Sequence, residues 1–156
     1  MNWTKDEFRV SDEKEFLDLH YVHDFLSNHS YWAAGIPMDI FRHSVENSIC
    51  FGLYKDQKQI GFARVVSDLS TIGYLGDVFI DEAFRSQGLA TFLMECVFGH
   101  SQLQGFRSWM LATRDAQNLY AKFGFVPIEN PNRFMRKNDP GVYSRGKPGF
   151  NLDSIL

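Results

Sequence analysis

The segment Asp77-Val78-Phe79-Ile80-Asp81-Glu82-Ala83-Phe84-Arg85-Ser86-Gln87-Gly88-Leu89-Ala90 has the residue spacing with the clearest chemical meaning. An apolar strand is expected to stop at Ile80 and a helix to begin near Gly88. The helix follows from Leu89, Phe92, Leu93, Cys96 and Val97, which fall on one face at i, i+3, i+4, i+7 and i+8. The first four N–H groups of a helix have no partner within it, and its dipole adds positive potential at that end. Gly88 and Ala90 are small enough to let an anion approach the main chain closely. The loop is therefore a candidate pyrophosphate cradle built mainly of backbone. The same residues also suit a simple turn at Gly88 beside a solvated Arg85, since a motif this short recurs by chance. Neither Gly-x-Gly-x-x-Gly nor Gly-Lys-Ser/Thr occurs, which sets aside the dinucleotide and nucleoside-triphosphate forms of such a site.

Other groups carry weaker chemistry. Tyr120 lies four residues after Ala116, and with Leu119 and Phe123 it makes one helical face turned toward a sheet. Its hydroxyl either bonds a backbone group or meets a ligand, and spacing alone leaves both open. Cys50 and Cys96 sit inside apolar runs without an evident base, as buried reduced thiols do, not as acyl-enzyme nucleophiles do. His20 and His23 are spaced i, i+3, but no third ligand accompanies them, so no metal is expected.

These residues need a scaffold. The 156 residues, 44% hydrophobic and with 15 phenylalanines, suffice for a single domain over 1–156 with a substantial core. A net charge of -3 supplies no basic field, so no nucleic-acid partner is expected. The first seven residues are too polar for a signal peptide, and no apolar run approaches the ~20 residues of a membrane span. No membrane association is expected, and a cytoplasmic location follows by default.

The pattern predicts a short strand over 8–10, then a helix capped by Asp12 with Glu15 as its capping-box partner. That helix carries Phe16, Leu19, His20, His23 and Leu26 and ends near Asn28. An aromatic loop over 30–37 leads through Pro37 into a helix containing Phe41 and Val45. Strands over 49–54, 60–66 and 72–80 read as an antiparallel meander. A helix over 88–100, a strand over 109–113 and a helix over 116–123 follow, and from Asn130 the chain reads as loop or tail. The expected fold is α/β (α+β), a mixed and mostly antiparallel central sheet with helices on both faces.

Two of these segments together resemble a known family. Arg85-Ser86-Gln87-Gly88-Leu89-Ala90 resembles the coenzyme A signature of the GNAT superfamily of N-acetyltransferases, Arg/Gln-x-x-Gly-x-Gly/Ala after a strand. Ala116-Gln117-Asn118-Leu119-Tyr120-Ala121-Lys122-Phe123-Gly124-Phe125 resembles its second signature, a helix ending Leu-Tyr-x-x-x-Gly-Phe. The likeness covers roughly residues 49–128, whose element order matches the family's βββ-α-β-α-β core.

The resemblance implies acetyl-coenzyme A as the acyl donor, with its diphosphate on the amides of Ser86, Gln87, Gly88, Leu89 and Ala90, beside Arg85. It also implies a bulge in the strand near Gly76 and Asp77, which would open a cleft for the acyl chain. Val78, Phe79 and Ile80 would then offer backbone groups to pantetheine and to the oxyanion. Thr113 stands where the family often has an Asn contacting pantetheine, seven residues before the helix tyrosine, and offers a shorter hydrogen-bonding reach. Asn118 is carried over among the cofactor-contacting positions. Tyr31 and Trp32 fall where the resemblance places acceptor binding, and either line that pocket or cover the core.

Acyl transfer to an amine needs a proton acceptor near the thioester and a proton donor for the departing thiolate. The resemblance makes Tyr120 the donor, and Asp77 is a candidate base or else a structural carboxylate. The function expected is acetylation of a primary amine, of a small molecule, by direct attack in a ternary complex. Acetylation of a protein lysine or N-terminus, and a non-catalytic acyl-coenzyme A binding module, are the alternatives. A monomer or a homodimer is expected.

Overall fold

Strand order in space is strand order in the chain. β1 (Asn2–Lys5), β2 (Phe8–Ser11), β3 (Ile49–Lys55), β4 (Lys58–Ser67) and β5 (Ile72–Ile80) pair antiparallel in succession, and β6 (Ser108–Met110) joins β5 in parallel. The computed structural model describes residues 1–145. Five α-helices accompany the sheet among them: α1 (Leu19–Asp24), α2 (Met38–Glu46), α3 (Leu89–Phe98), α4 (Gln117–Ala121) and α5 (Val142–Arg145). A π-helical turn, Phe25–His29, extends α1.

Side chains alternate across a strand, so each strand feeds two cores. Phe51, Leu53 and Val65 pack with Phe92, Leu93 and Val97 of α3 on one face. Cys50, Phe62 and Phe79 pack on the other face with Val22 and Leu26, and with Phe41 and Val45 of α2. The mixed sheet with helices on both faces is thus as the patterning predicts. A helix of 10 residues is marginal alone. Burial of Phe92, Leu93 and Val97, at roughly 1.5–3 kcal/mol each, is what fixes α3 and therefore the loop before it.

Some elements differ from expectation. β1 carries no recognisable pattern, yet it pairs along its whole length with β2. Asp12 is not a helix cap. Its carboxylate instead binds the Met1 amine and His100 Nε2, the latter at 2.8 Å. A 3₁₀ turn at Lys14–Phe16 intervenes, and the cap of α1 is Asp18, which accepts from the Tyr21 amide at 3.0 Å. β6 ends at Met110 and not near Thr113, because β5 continues to Ile80 but its pairing with β6 stops at Tyr74 and the two diverge. The tail holds a 3₁₀ turn at Pro131–Arg133 and the short α5. Residues 146–156 of that tail lie outside the described residues. No helix among the described residues is long and apolar enough to cross a membrane.

Candidate active site

The site begins with one extra residue. Phe62 of β4 faces Phe79 of β5, but Arg64 faces Gly76, so β5 carries one residue more than β4 between those pairs. Asp77 lies in this bulge with φ 54°, a left-handed conformation that Asp tolerates better than most residues. On its other edge β5 pairs with β6 only as far as Tyr74 and Met110. Beyond that pair the two chains separate around a cleft of roughly 950 Å³. Leu75, Gly76, Asp77 and Val78 form one wall, and residues 111–116 with Tyr120 form the other. Tyr31 and Trp32 line it from the loop between α1 and α2, so they are cleft residues and not core cover.

Both carboxylate oxygens of Asp77 are hydrogen-bonded. One carboxylate oxygen accepts from Arg64 Nε at 2.7 Å and the other from Trp32 Nε1 at 3.0 Å. Arg64 also donates from Nη1 to Ser48 Oγ at 3.1 Å. The carboxylate therefore ties the aromatic loop and β4 to the bulge, the structural alternative left open by its sequence context. Each oxygen keeps a second lone pair, but a proton taken up by the carboxylate would discharge its ion pair with Arg64, which opposes a base role. We expect Asp77→Asn to lower the melting temperature, because Arg64 loses its counter-ion and only one of Arg64 and Trp32 keeps an acceptor, while the acidic limb of the pH–rate profile persists. Loss of that limb with an unchanged melting temperature would make Asp77 the base.

Tyr120 is only 7% exposed, yet it lines the cleft. Its hydroxyl has no hydrogen-bond partner among the described residues. Burial, with a smaller contribution from nearby Tyr31, pushes its pKa up to about 12. It is a neutral phenol with an unused donor. The Thr113 hydroxyl accepts from the Ala116 amide at 3.0 Å just before α4, which leaves its own O–H to donate into the cleft. Asn118 is exposed on α4 and does not line the cleft.

The loop before α3 lies outside the cleft, joined to it by the end of β5. Phe79 and Ile80 bury their side chains on opposite faces, so only their backbone is available there. Asp81 accepts from the Ala83 amide at 3.0 Å and starts a 3₁₀ turn, Glu82–Phe84. Arg85 folds back and donates from Nε to the Ile80 carbonyl at 3.0 Å. Ser86 and Gly88 both take positive φ, 62° and 77°, which turns the chain into α3. The first α3 amide with an acceptor is that of Phe92, bonded to the Gly88 carbonyl at 3.1 Å. The amides of residues 86–90 have no such partner among the described residues, as an anion cradle requires.

Both thiols are buried, and burial pushes Cys50 and Cys96 each up to about 12, far from a nucleophilic thiolate. His23 donates from Nε2 to the Ile36 carbonyl at 2.8 Å, which gives that ring a structural bond. Among the described residues no three His, Cys, Asp or Glu side chains are grouped to hold a metal. The sequence reading missed Arg64, Arg114 and the tail residues Arg136, Asn138, Asp139 and Tyr143, all of which line the cleft. None belongs to a motif, and a tail that folds back carries no periodic signal.

A sheet split beside a bulge thus opens a cleft next to free amides at the start of the following helix. Residues 46–127 match the acetyltransferase (GNAT) domain, and the chain belongs to this family of acetyltransferases. A crystal structure from Xanthomonas campestris pv. campestris, assigned to the same family, is 42% identical, with 88% of this chain and 96% of that chain covered and a TM-score of 0.85. A protein of Gibberella zeae, named as an acetyltransferase, is 29% identical over 78% of this chain and 80% of its own length. An acetyltransferase structure from Clostridium acetobutylicum with acetyl-CoA shares the fold at 14% identity and a TM-score of 0.59, covering 84% of this chain and 94% of that one.

Proposed function

We propose that this chain transfers the acetyl group of acetyl-coenzyme A to a primary amine of a small molecule, with both substrates bound together. The observation that carries the reading is the placement of the Tyr120 hydroxyl in a cleft whose wall, β5, runs on to the unpartnered amides of residues 86–90. Those amides would hold the diphosphate, and the backbone of Val78, Phe79 and Ile80 would flank the pantetheine arm.

The chemistry balances without further reagents. An alkylammonium acceptor, with a pKa near ~10.4, first loses one proton to solvent. Its nitrogen then attacks the thioester carbonyl, a C–N bond forms and the C–S bond breaks. The second N–H proton ends on sulfur as the free thiol. Tyr120 donates a hydrogen bond where negative charge gathers on that sulfur. Holding amine and thioester side by side removes much of the entropic barrier. A small acceptor is favoured over a protein chain because tail residues such as Arg136 and Tyr143 border the cleft and narrow the approach.

The test is free-thiol release over a panel of amino acids, amino sugars, polyamines and peptides, followed by initial-rate kinetics on the best acceptor. Double-reciprocal plots should intersect. Parallel plots, with an acetylated cysteine trapped in the absence of amine, would overturn direct transfer. Thiol release with none of the amines, despite a rise in melting temperature with acetyl-coenzyme A, would leave a binding module.

A further inference from the structure

We infer that the acceptor amine also bears an anionic group, a carboxylate or a phosphate, which Arg114 binds with help from Arg136. This rests on the acetyltransferase reading. Three arginines line the cleft, and they are held differently. Arg64 is committed to Asp77. Arg114 and Arg136 have no ion-pair partner among the described residues. Of the other carboxylates lining the cleft, Asp139 is taken by Arg145, and Asp115 has no cationic partner among the described residues. Two free guanidinium groups against one free carboxylate leave a local positive excess, although the chain as a whole carries -3.

The placement of Arg114 makes that excess specific. Its guanidinium lies 4.2 Å over the Tyr31 ring. Stacking occupies the flat face of the group and leaves its rim of N–H donors free, in the fork that matches carboxylate and phosphate oxygens. Tyr31 in turn sits edge-on to Trp32, at 5.1 Å and 86°, and is near enough to Tyr120 to influence its ionisation. The cation, the aromatic wall and the candidate proton donor thus belong to one continuous surface. An acceptor could lay its carbon skeleton on Tyr31 and Trp32, its anion on Arg114, and its amine toward Tyr120. Arg136 arrives from the tail and lines the same cleft, adding a second cation. A polyamine would meet repulsion there.

Matched acceptor pairs test this: an amino acid against its amide, and an amino sugar phosphate against the parent amino sugar. The anionic member should show kcat/KM higher by about 10- to 100-fold, the range for a hydrogen-bonded charge pair. Arg114→Gln should bring the ratio within a pair close to one. Whichever pair responds identifies the anion as carboxylate or phosphate. Binding is read separately, as the melting-temperature rise each acceptor gives in the presence of coenzyme A. The anionic member should raise it more, and only while Arg114 is present. Selective binding without turnover would sink the catalytic reading and sustain this one. Equal kcat/KM and equal thermal shifts within every pair would overturn it. So would an Arg114→Gln variant in which only the KM for acetyl-coenzyme A rises, since the cations would then serve the donor's phosphates.

Discussion

Tyr120→Phe is expected to lower kcat by ~10²–10³-fold, as for loss of one donor to developing charge, while leaving the thermal shift with coenzyme A intact. The substitution is clean because the ring keeps its packing and the hydroxyl has no partner to lose among the described residues. With its pKa pushed up to about 12, the phenol stays protonated from pH 6 to 10, so the loss should be the same throughout that range. The same value defines its role. Full proton transfer from a group near 12 to a thiolate near 8.5 is uphill by about 5 kcal/mol. In the proposed mechanism Tyr120 is accordingly a hydrogen-bond donor to sulfur, and the proton that stays there comes from the amine. A loss below threefold at every pH would return Tyr120 to a packing role.

Gly88→Asp is expected to abolish the melting-temperature rise given by coenzyme A. A Cβ at this position would meet no atom within 4 Å, so the variant has room to fold. The φ of 77° imposes a strain of ~1–2 kcal/mol on an L-residue, and Asp tolerates it better than most. What changes is the charge facing the free amides, from neutral to negative. Gly88→Ala separates the two effects. It carries similar backbone strain without the charge and should retain part of the shift. An undiminished shift in the Asp variant would place the diphosphate elsewhere.

Legibility in the sequence followed the range of the interactions. Strands β3, β4 and β5 and helix α3 were readable because alternation and helical spacing are local consequences of burial. The bulge at Asp77 was anticipated from Gly76 together with the family resemblance. Which partners the Asp77 carboxylate takes was not readable, because Trp32 is 45 residues away and reaches it across the fold. Asp12 shows the converse error. Its spacing to Glu15 fits a helix cap, but a partner 88 residues on, His100, takes the carboxylate instead. The cleft's arginines went unseen for the same reason: Arg114 becomes notable only when Tyr31 lies beneath it. Local patterns specified the scaffold, and long-range contacts decided what each polar group does.

Because each of the strands β2 to β5 pairs with its predecessor, those contacts close mostly short loops and form at little entropic cost, with one longer excursion through α1 and α2. The parallel register of Ile72 with Ser108 is different, since it must bring together residues separated by the whole of α3, and only three residue pairs reward it. This seam is expected to form late in folding and to open early in unfolding. The cleft that divides β5 from the chain after β6 therefore stands beside the join with the fewest residue pairs in the sheet, and its candidate catalytic surface is expected to be completed in the same event that completes the fold.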